Sequence, residues 1–356
     1  MLSKLLESIR PVDKEWMRKA KAHWDTRTHP TGSLGALETM TVRLAGIQRR
    51  VIPIIADRAI LVFCADNGVV AEDVSSSPPV FTQMLANAMA RGETGAATLS
   101  AWSGSSLRVV DIGMKKEVAR ESSIVQACIR PGTGNIALEA AMTREETIKA
   151  VETGARIAEE AMKEGANLLG VGELGIGNTT TSAALLSALT GEKAENCVGY
   201  GAGITESQRL KKVATVEKAV ERAGKGDVID KLAQVGGLDL AGIVGVFLAC
   251  AAKEVAVVVD GFVTGVAALA AITLAPNVRD YIFLSHKSAE KASVLVNRYI
   301  GLTPSLDLEM RLGEGSGCPL FFQLMDGALY AMTHMGSVKD NAIDPNLLVN
   351  LEKGSL

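Results

Sequence analysis

Residues 311–317 place one carboxylate, that of Glu314, in a glycine-rich segment, Arg-Leu-Gly-Glu-Gly-Ser-Gly. Glycine lets the backbone approach a ligand closely and adopt positive φ, so Glu314 could reach into a narrow pocket as a general base. Leu312 is the only bulky apolar side chain beside it, and Gly313 precedes it directly. A base without a metal site indicates substitution chemistry. The alternative is a surface loop whose glutamate points into water.

A second glycine-rich segment lies far upstream, where residues 167–184 read Asn-Leu-Leu-Gly-Val-Gly-Glu-Leu-Gly-Ile-Gly-Asn-Thr-Thr-Thr-Ser-Ala-Ala. The pattern predicts a buried strand, a glycine turn and a helix that runs to Thr190. Asn178 and Thr179 are both good N-cap residues, and the N–H groups at such a helix start favour a phosphate. The hydroxyls of Thr179, Thr180 and Thr181 could add donors. The predicted anion site comprises Gly175, Gly177, Asn178, Thr179 and Thr180.

The same segment contains Gly170-x-Gly172-x-x-Gly175, which is the dinucleotide fingerprint. It keeps a nicotinamide-dependent oxidoreductase as an alternative. A dinucleotide site, however, needs an acidic residue about 20 residues further on, at the end of the next strand. Glu192 and Glu195 instead lie in a predicted loop after the helix. An ordinary strand-to-helix turn would explain the glycines, but it leaves Glu173 among them unexplained.

Composition indicates a globular enzyme-sized chain. The 356 residues are 47% hydrophobic and 22% charged, which is enough for a large core. The net charge of −3, without a sustained basic run, argues against nucleic acid or an anionic membrane as the partner. No stretch reaches the ~20 charge-free residues of a membrane helix, and the first ten residues lack an apolar signal core. We therefore expect a cytoplasmic protein.

The cysteines and histidines give no metal-binding pattern. Five cysteines are spread singly along the chain, without a Cys-x-x-Cys pair. Four histidines show no His-x-x-x-His spacing. We expect reduced thiols that are mostly packed as small apolar side chains, no metal site and no cofactor.

Short β-branched runs alternate with longer Ala-rich segments of helical period, which predicts an α/β fold with a doubly wound, mostly parallel, Rossmann-like sheet. Strands are predicted at residues 59–64, 107–112, 167–172, 255–260 and 281–285, with a weaker one at 124–129. Polar residues follow the strands: Asp66-Asn67, Asp111, Glu173, Asp260 and Ser285-His286. Because ligands bind at the carboxyl ends of such strands, we expect these side chains to converge on one edge.

The two ends of the chain have a helical pattern. Residues 1–50 contain no strand candidate, and the chain turns helical again after Pro304. We predict a small helical domain from residues 1–50 plus 304–356 beside a large α/β domain of residues 51–303. Glu314 would then lie over the ligand crevice, at the junction of the two domains.

Together these motifs resemble the nicotinate mononucleotide:5,6-dimethylbenzimidazole phosphoribosyltransferases, which activate the lower-ligand base of cobalamin. The resemblance covers nearly the whole chain. Its motifs are Gly32-Ser-Leu-Gly-x-Leu-Glu, Ala65-Asp-x-Gly-Val, Thr82-Gln-Met, Gly132-Thr-Gly-Asn-Ile, Ala141-Met-Thr, Gly172-Glu-Leu-Gly-Ile-Gly-Asn-Thr-Thr, Val235-Gly-Gly-Leu-Asp, Asp260-Gly-Phe, Ser285-His-x-Ser-Ala-Glu and Arg311-Leu-Gly-Glu-Gly-Ser-Gly.

The resemblance implies a reaction and roles for several residues. Glu314 would take a proton from the incoming aromatic base, which attacks C1 of the ribose and displaces nicotinate to give an α-riboside 5'-phosphate. Lys212 matches a phosphate-binding lysine of the family. Its surroundings, Gln208-Arg-Leu-Lys-Lys, are typical of a solvated helix start, so residue type alone favours an exposed lysine. Glu173 matches a second carboxylate near the site, although capping of the glycine turn is its alternative role.

Other positions bear on the choice of acceptor. Ser77 aligns with a serine beside the incoming base, although Ser75-Ser-Ser-Pro-Pro could also be only a turn. A family glutamine that faces this base corresponds either to Gln83 or to the position of Leu85. If Leu85 is correct, the slot has lost a hydrogen-bond partner, which costs about 1–3 kcal/mol for a buried ring nitrogen. The acceptor could then be another benzimidazole, or a phenol such as p-cresol.

The family resemblance also implies a dimer whose sites borrow residues from the partner. Relatives that act on phenols pair two different homologous chains, so a homodimer and a heterodimer both remain possible here. The family commonly has Asp-His-Gly at Asp66-Asn67-Gly68, and Gly-Ala-Ala or a similar sequence at Gly317-Cys318-Pro319. These departures leave open a non-catalytic partner subunit. The retained Glu314 favours a catalytic chain.

Overall fold

A computed structural model describes residues 1–115, 119, 121–201, 203–344 and 348–351. Within these residues one sheet has six strands in the order β3-β2-β1-β4-β5-β6, and all neighbouring pairs are parallel. The strands are β1 Asp57–Ala65, β2 Ser106–Gly113, β3 Val125–Gln126, β4 Ala166–Leu174, β5 Ala256–Val259 and β6 Ile282–Leu284. This is the Rossmann order, and its topological switch point lies between β1 and β4.

Helices cover both faces of the sheet. They are α1 Leu2–Ser8, α2 Lys14–Trp24, α3 Ala36–Gln48, α4 Phe81–Ala90, α5 Gly95–Trp102, α6 Arg144–Lys163, α7 Asn178–Thr190, α8 Ala194–Cys197, α9 Glu206–Ala223, α10 Val228–Val235, α11 Leu238–Ala252, α12 Phe262–Leu274, α13 Ser293–Ile300 and α14 Gly317–His334. Two short 3₁₀ turns, Gly68–Glu72 and Pro276–Tyr281, connect them. Helices α11 and α12 are apolar almost all round, which agrees with their burial between the sheet and the other helices.

The predicted fold class is confirmed, and all six predicted strands are present. Their bounds differ from the prediction by one or two residues at most ends. The largest difference is at the weak strand predicted for 124–129, which is only two residues long and pairs with β2 at the sheet edge. The helix after the glycine turn ends at Thr190, as predicted.

The two ends of the chain meet. Helices α2, α3 and α14 share a small apolar cluster of Ala20, Trp24, Ala45 and Met332. The Trp24 indole N–H donates to Thr41 Oγ1 at 2.8 Å, which fixes α2 on α3. Helix α14 also places Phe321, Phe322 and Met325 in the main core. The division of the chain into a 1–50 plus 304–356 domain and a 51–303 domain stays a prediction; residues 345–347 and 352–356 of its smaller part lie outside the described residues.

Four of the five cysteine thiols, those of Cys64, Cys197, Cys250 and Cys318, are buried in the core, as expected for small apolar side chains. In the described part of the chain, no helix is long and apolar enough to cross a membrane.

Candidate active site

A cavity of about 260 Å³ opens at the carboxyl ends of β4, β5 and β6. This is the edge where the polar residues after the strands were expected to converge, and Glu173 and His286 line the cavity. The cavity takes its walls from several loops and helix starts. The lining residues are Val74–Ser77, Phe81, Leu85, Glu173–Thr179, Tyr200, Gly201, Ile204, Lys212, Gly261–Val263, His286, Ser288, Glu290 and Arg311–Glu314.

The Glu314 turn has an unusual backbone. Gly313, Glu314 and Gly315 have consecutive positive φ values of 81°, 62° and 82°. For a glutamate the left-handed region costs about 1–2 kcal/mol, so the surroundings must hold it there. Gly172 of β4 makes room for this turn, because a Cβ atom at Gly172 would lie 2.5 Å from the Glu314 carbonyl carbon. The glycines are thus needed for the close approach that the sequence predicted.

Asp260, at the end of β5, anchors the same turn. Its Oδ2 accepts the N–H of Gly315 at 3.0 Å, and its Oδ1 accepts the N–H of Gly317 at 2.7 Å. The carboxylate therefore also lies at the start of α14, where the helix dipole favours negative charge. Burial raises the pKa of Asp260 to about 7, although the two N–H groups act in the opposite direction.

The Glu314 carboxylate is buried and available. Its residue is 8% exposed, and Oε2 makes no hydrogen bond with any described residue. Burial raises the pKa of Glu314 above its ordinary value. A carboxylate removed from water in this way is a stronger base than one in solvent, which suits proton abstraction inside the cavity.

Glu173 lies beside the Glu314 turn. A Cβ atom at Gly313 would lie 2.7 Å from Glu173 Oε1. The Asn178 side-chain amide donates to Glu173 Oε2. The same amide also lowers the pKa of the buried Asp239 carboxyl group. Burial, followed by the charge of Asp239, raises the pKa of Glu173 well above its ordinary value, while the Asn178 amide lowers it. Burial likewise raises the pKa of Asp239 to about 6. Asn178 thus stabilises two buried carboxyl groups below the cavity.

The predicted cap of α7 is wrong. Gly177, with φ of 91°, occupies the N-cap position, and Asn178 is the first helical residue. The N–H groups of Asn178 and Thr180 donate to Gly175 O and Gly177 O. Glycine is favoured at this N-cap position because it adopts the left-handed conformation without the steric cost of a Cβ atom. The Asn178 side chain consequently serves the carboxyl groups rather than the helix cap.

Lys212 reaches this helix start from α9. Its side chain is 1% exposed, and Nζ donates to Thr179 Oγ1 at 2.7 Å. The interpretation of Lys212 as a solvated lysine is therefore wrong. Burial lowers the pKa of Lys212 to about 8, and the negative charge of Glu290 opposes this shift. A buried ammonium and a threonine hydroxyl at a helix N-terminus form a site suited to a phosphate.

Most of the predicted site residues meet in this one cavity, but two of them do not. Gln83 is buried and lies outside the cavity wall, whereas Leu85, on the same helix, lines it. Thr180 is fully buried and does not line the cavity. The predicted residues that line it are Ser77, Leu85, Glu173, Gly175, Gly177, Asn178, Thr179, Lys212, Leu312, Gly313 and Glu314.

Packing accounts for the glycines of the dinucleotide fingerprint. A Cβ atom at Gly170 would lie 2.7 Å from Cys318 Cβ, and one at Gly175 would lie 2.5 Å from Ala65 O. Gly172 contacts the Glu314 turn, as described above. Gly170 and Gly172 let α14 and the Glu314 turn lie against β4, and Gly175 lets the following turn lie against the end of β1, so the pattern needs no pyrophosphate to explain it.

Sequence reasoning did not assign roles to Asp239, Glu290 or Tyr200. Asp239 and Glu290 occur within the motifs Val235-Gly-Gly-Leu-Asp and Ser285-His-x-Ser-Ala-Glu, which was the available signal. Tyr200 had none, because a single tyrosine in a glycine-rich loop gives no pattern. No residue pattern indicated that Asp260 anchors the Glu314 turn, because this contact is made to two backbone N–H groups.

Comparisons with known proteins agree with this geometry. A phosphoribosyltransferase family model matches residues 9–343. The nicotinate-nucleotide–dimethylbenzimidazole phosphoribosyltransferase of Acetivibrio thermocellus is 43% identical over 97% of this chain and 98% of its own length. The enzyme of the same name from Clostridium tetani is 42% identical over 99% of this chain and 98% of its own length.

A solved structure shows the same fold. The crystal structure of CobT from Thermus thermophilus superposes with a TM-score of 0.89 at 35% identity, and the match covers 93% of this chain and 99% of that one. The chain therefore belongs to the nicotinate-nucleotide–dimethylbenzimidazole phosphoribosyltransferase family, a family of pentosyl-transferring enzymes.

Proposed function

We propose that this chain transfers the ribose 5-phosphate of nicotinate mononucleotide to an aromatic base, releasing nicotinate and forming an α-riboside 5'-phosphate for cobamide assembly. The observation that carries the proposal is the Glu314 carboxylate, which is buried in the same cavity as Lys212 and the start of α7 and whose Oε2 has no hydrogen-bond partner among the described residues. A base, an anion site and a cavity between them are what this substitution requires.

The cavity is lined by two chemically different groups of residues. Lys212, Thr179 and Gly201 lie close together, and we propose that they bind the phosphate. Phe81, Leu85 and Leu312 are apolar lining residues, and with Ser77 they offer a surface for an aromatic acceptor. Glu314 and Glu173 line the same cavity, and the acceptor and the ribose would meet beside them.

The proposed reaction is a single substitution at C1 of the ribose. The acceptor gives its N–H or O–H proton to Glu314 and forms a bond to C1. The C1–N bond to the pyridinium ring breaks, and nicotinate leaves with that electron pair as a neutral pyridine. Attack on the face opposite nicotinate gives the α-riboside. Burial of Glu314 and the apolar walls keep water from the developing cation at C1.

The identity of the aromatic acceptor is a more specific part of this proposal. Leu85, rather than Gln83, lines the cavity, so among the described residues α4 presents a leucine rather than an amide to the acceptor. Relatives are named for dimethylbenzimidazole, which we propose as one acceptor. A phenol such as p-cresol, whose single O–H needs only Glu314, also fits a slot of this chemistry.

The test is a product assay with the purified chain. Nicotinate mononucleotide is incubated with dimethylbenzimidazole, p-cresol or no acceptor, and nicotinate and the riboside phosphate are measured. The proposal expects acceptor-dependent release of nicotinate. No release with any acceptor would contradict it, and release with the benzimidazole alone would remove the phenol.

The same assay addresses the subunit composition. We propose a homodimer rather than a heterodimer, because this chain itself carries both Glu314 and Lys212 at the cavity and needs no different homologous chain to supply them. Activity of the isolated chain, with its mass measured by light scattering, supports this. An inactive chain that becomes active only with a homologous partner would show the heterodimeric arrangement.

A further inference from the structure

A buried carboxylate beside the proposed phosphate site has no part in the steps above. Glu290 lies in the loop after β6 and is 8% exposed. Its Oε2 accepts the N–H of Gly201 at 3.0 Å. Its Oε1 is buried and makes no hydrogen bond with any described residue. A carboxylate beside an anion site repels the anion, so its presence there calls for a compensating role.

The loop that faces Glu290 leaves room for this carboxylate at Gly199. A Cβ atom at Gly199 would lie 1.4 Å from Glu290 Oε1, so no other residue fits there without movement. Gly201, with φ of 54°, lies beside the side chains that we propose bind the phosphate: a Cβ atom there would be 3.1 Å from Thr179 Oγ1 and 3.7 Å from Lys212 Nζ. Glu290 therefore holds the Gly201 turn directly against the predicted phosphate ligands.

Glu290 also supplies the negative charge that acts on Lys212. Burial lowers the pKa of Lys212, and Glu290 is the charge that raises it again. In return, burial raises the pKa of Glu290, while Lys212 and the Gly201 N–H lower it. The neighbouring charges on α9 are already paired, Arg209 with Glu206 and Lys211 with Asp73. Helix α7 contributes the neutral hydroxyl of Thr179.

We propose that Glu290 is a positioning residue for nicotinate mononucleotide, which holds the Gly201 turn through one carboxylate oxygen and keeps the buried Lys212 ammonium charged before the phosphate arrives. This inference rests on the proposed function. Glu290 need not touch the reacting atoms. When the phosphate enters, its charge replaces that of Glu290 as the partner of Lys212.

Two substitutions separate the two roles. Glu290→Gln keeps an acceptor for Gly201 but removes the charge, whereas Glu290→Asp keeps the charge but is too short to reach Gly201. Glu217→Gln removes an exposed carboxylate from α9, the helix that carries Lys212, and is the matched control. Lys212→Arg cannot deprotonate in this range. The dissociation constant of nicotinate mononucleotide is measured by calorimetry, without acceptor, from about pH 7 to about pH 10.

The wild-type chain should lose affinity as the pH rises through about 8, the pKa of Lys212, and Lys212→Arg should abolish that loss. Glu290→Gln should move the loss to lower pH by about one unit. Glu290→Asp should lose affinity at the same pH as the wild type, but its binding should be about tenfold weaker across the whole pH range. Glu217→Gln should behave as the wild type.

The inference is overturned if Glu290→Gln and Glu217→Gln lose affinity for nicotinate mononucleotide at the same pH. It is also overturned if both Glu290 variants weaken binding equally without shifting the pH at which affinity is lost. Either of the two Glu290 variants is informative without the other, since each tests one role. A wild-type chain that binds nicotinate mononucleotide with this pH dependence but releases no nicotinate would contradict the proposed function and leave the role of Glu290 intact.

Discussion

At the scale of single residues, the site depends on side chains held in states that they avoid in water. Glu314 has a left-handed backbone and a buried carboxylate, and Lys212 is a buried ammonium. Sequence located Glu314 because its glycine neighbours are a local signal. The sequence did not reveal that Lys212 is buried, because its neighbours on α9 are polar, as in a solvated helix. Lys212 is buried because α9 packs against α7.

The raised pKa of Glu314, the proposed base, should give the proposed reaction an acid limit. The base acts only when ionised, so kcat/KM for the acceptor should fall as the pH drops through the pKa of Glu314, above the ordinary glutamate value of about 4.3. The measurement is a pH–rate profile of kcat/KM for dimethylbenzimidazole, at saturating nicotinate mononucleotide. A rate that stays constant down to the ordinary glutamate value would contradict the assignment.

Lys212→Met should chiefly weaken substrate binding. Loss of a charge-assisted hydrogen bond costs about 1.5–3 kcal/mol, so KM for nicotinate mononucleotide should rise about 10- to 100-fold. Lys211→Met, at the neighbouring and exposed lysine, is the control and should leave KM unchanged. Equal effects of the two substitutions would show that Lys212 has no direct role at the phosphate.

At the scale of elements, strand ends and helix starts fix the geometry of the site. Asp260 joins β5 to the Glu314 turn and the start of α14, and Gly172 lets that turn lie against β4. The sequence predicted the elements, because their apolar periods are local. It missed the cap of α7, where glycine takes a left-handed conformation, and it left Gln83 and Leu85 undecided because the rotation of α4 is set by packing.

Asp260→Ala should damage both stability and catalysis. Two buried N–H groups would lose their acceptor, and each unpaired group costs about 1–3 kcal/mol. A displacement of the turn by about 1 Å should lower kcat on the order of 100-fold. Chemical denaturation and steady-state kinetics measure the two effects.

Asp307→Asn is the control for this substitution, since Asp307 forms an exposed ion pair with Lys287 away from the turn. It should change the free energy of unfolding by less than about 1 kcal/mol and leave kcat unaffected. If Asp260→Ala kept the wild-type kcat, the anchoring of the turn by Asp260 would be wrong.

At the scale of the whole molecule, a Rossmann-order sheet gathers several acids at one edge. Sequence predicted this convergence, because the carboxyl ends of parallel strands share an edge. Asp239, at the start of α11, joins them through Asn178, which no local pattern reveals. The result is a group of buried carboxyl groups whose ionisation opposes folding, because burial raises their pKa values.

The stability of the free chain should reflect this arrangement. Burial raises the pKa of Asp239 to about 6, so the folded state holds its proton more tightly than the unfolded state. The contribution of Asp239 to stability is therefore lost as the pH rises from about 4 to about 6. Asp239→Asn should stabilise the free chain above this range, by up to about 3 kcal/mol.

Urea unfolding at several pH values, with Glu217→Gln as the surface control, measures this difference. Equal stability of Asp239→Asn and the wild type above about pH 6 would show that the buried carboxyl carries no ionisation cost.

The most direct test of the account is the turnover of Glu314→Gln, compared with Glu309→Gln at an exposed position of the same loop. General base catalysis contributes about 10²- to 10⁴-fold, so kcat should fall by that factor in Glu314→Gln while the dissociation constant of nicotinate mononucleotide stays near the wild-type value. Glu309→Gln should match the wild type. A Glu314→Gln enzyme with undiminished kcat would contradict the assignment of Glu314 as the base.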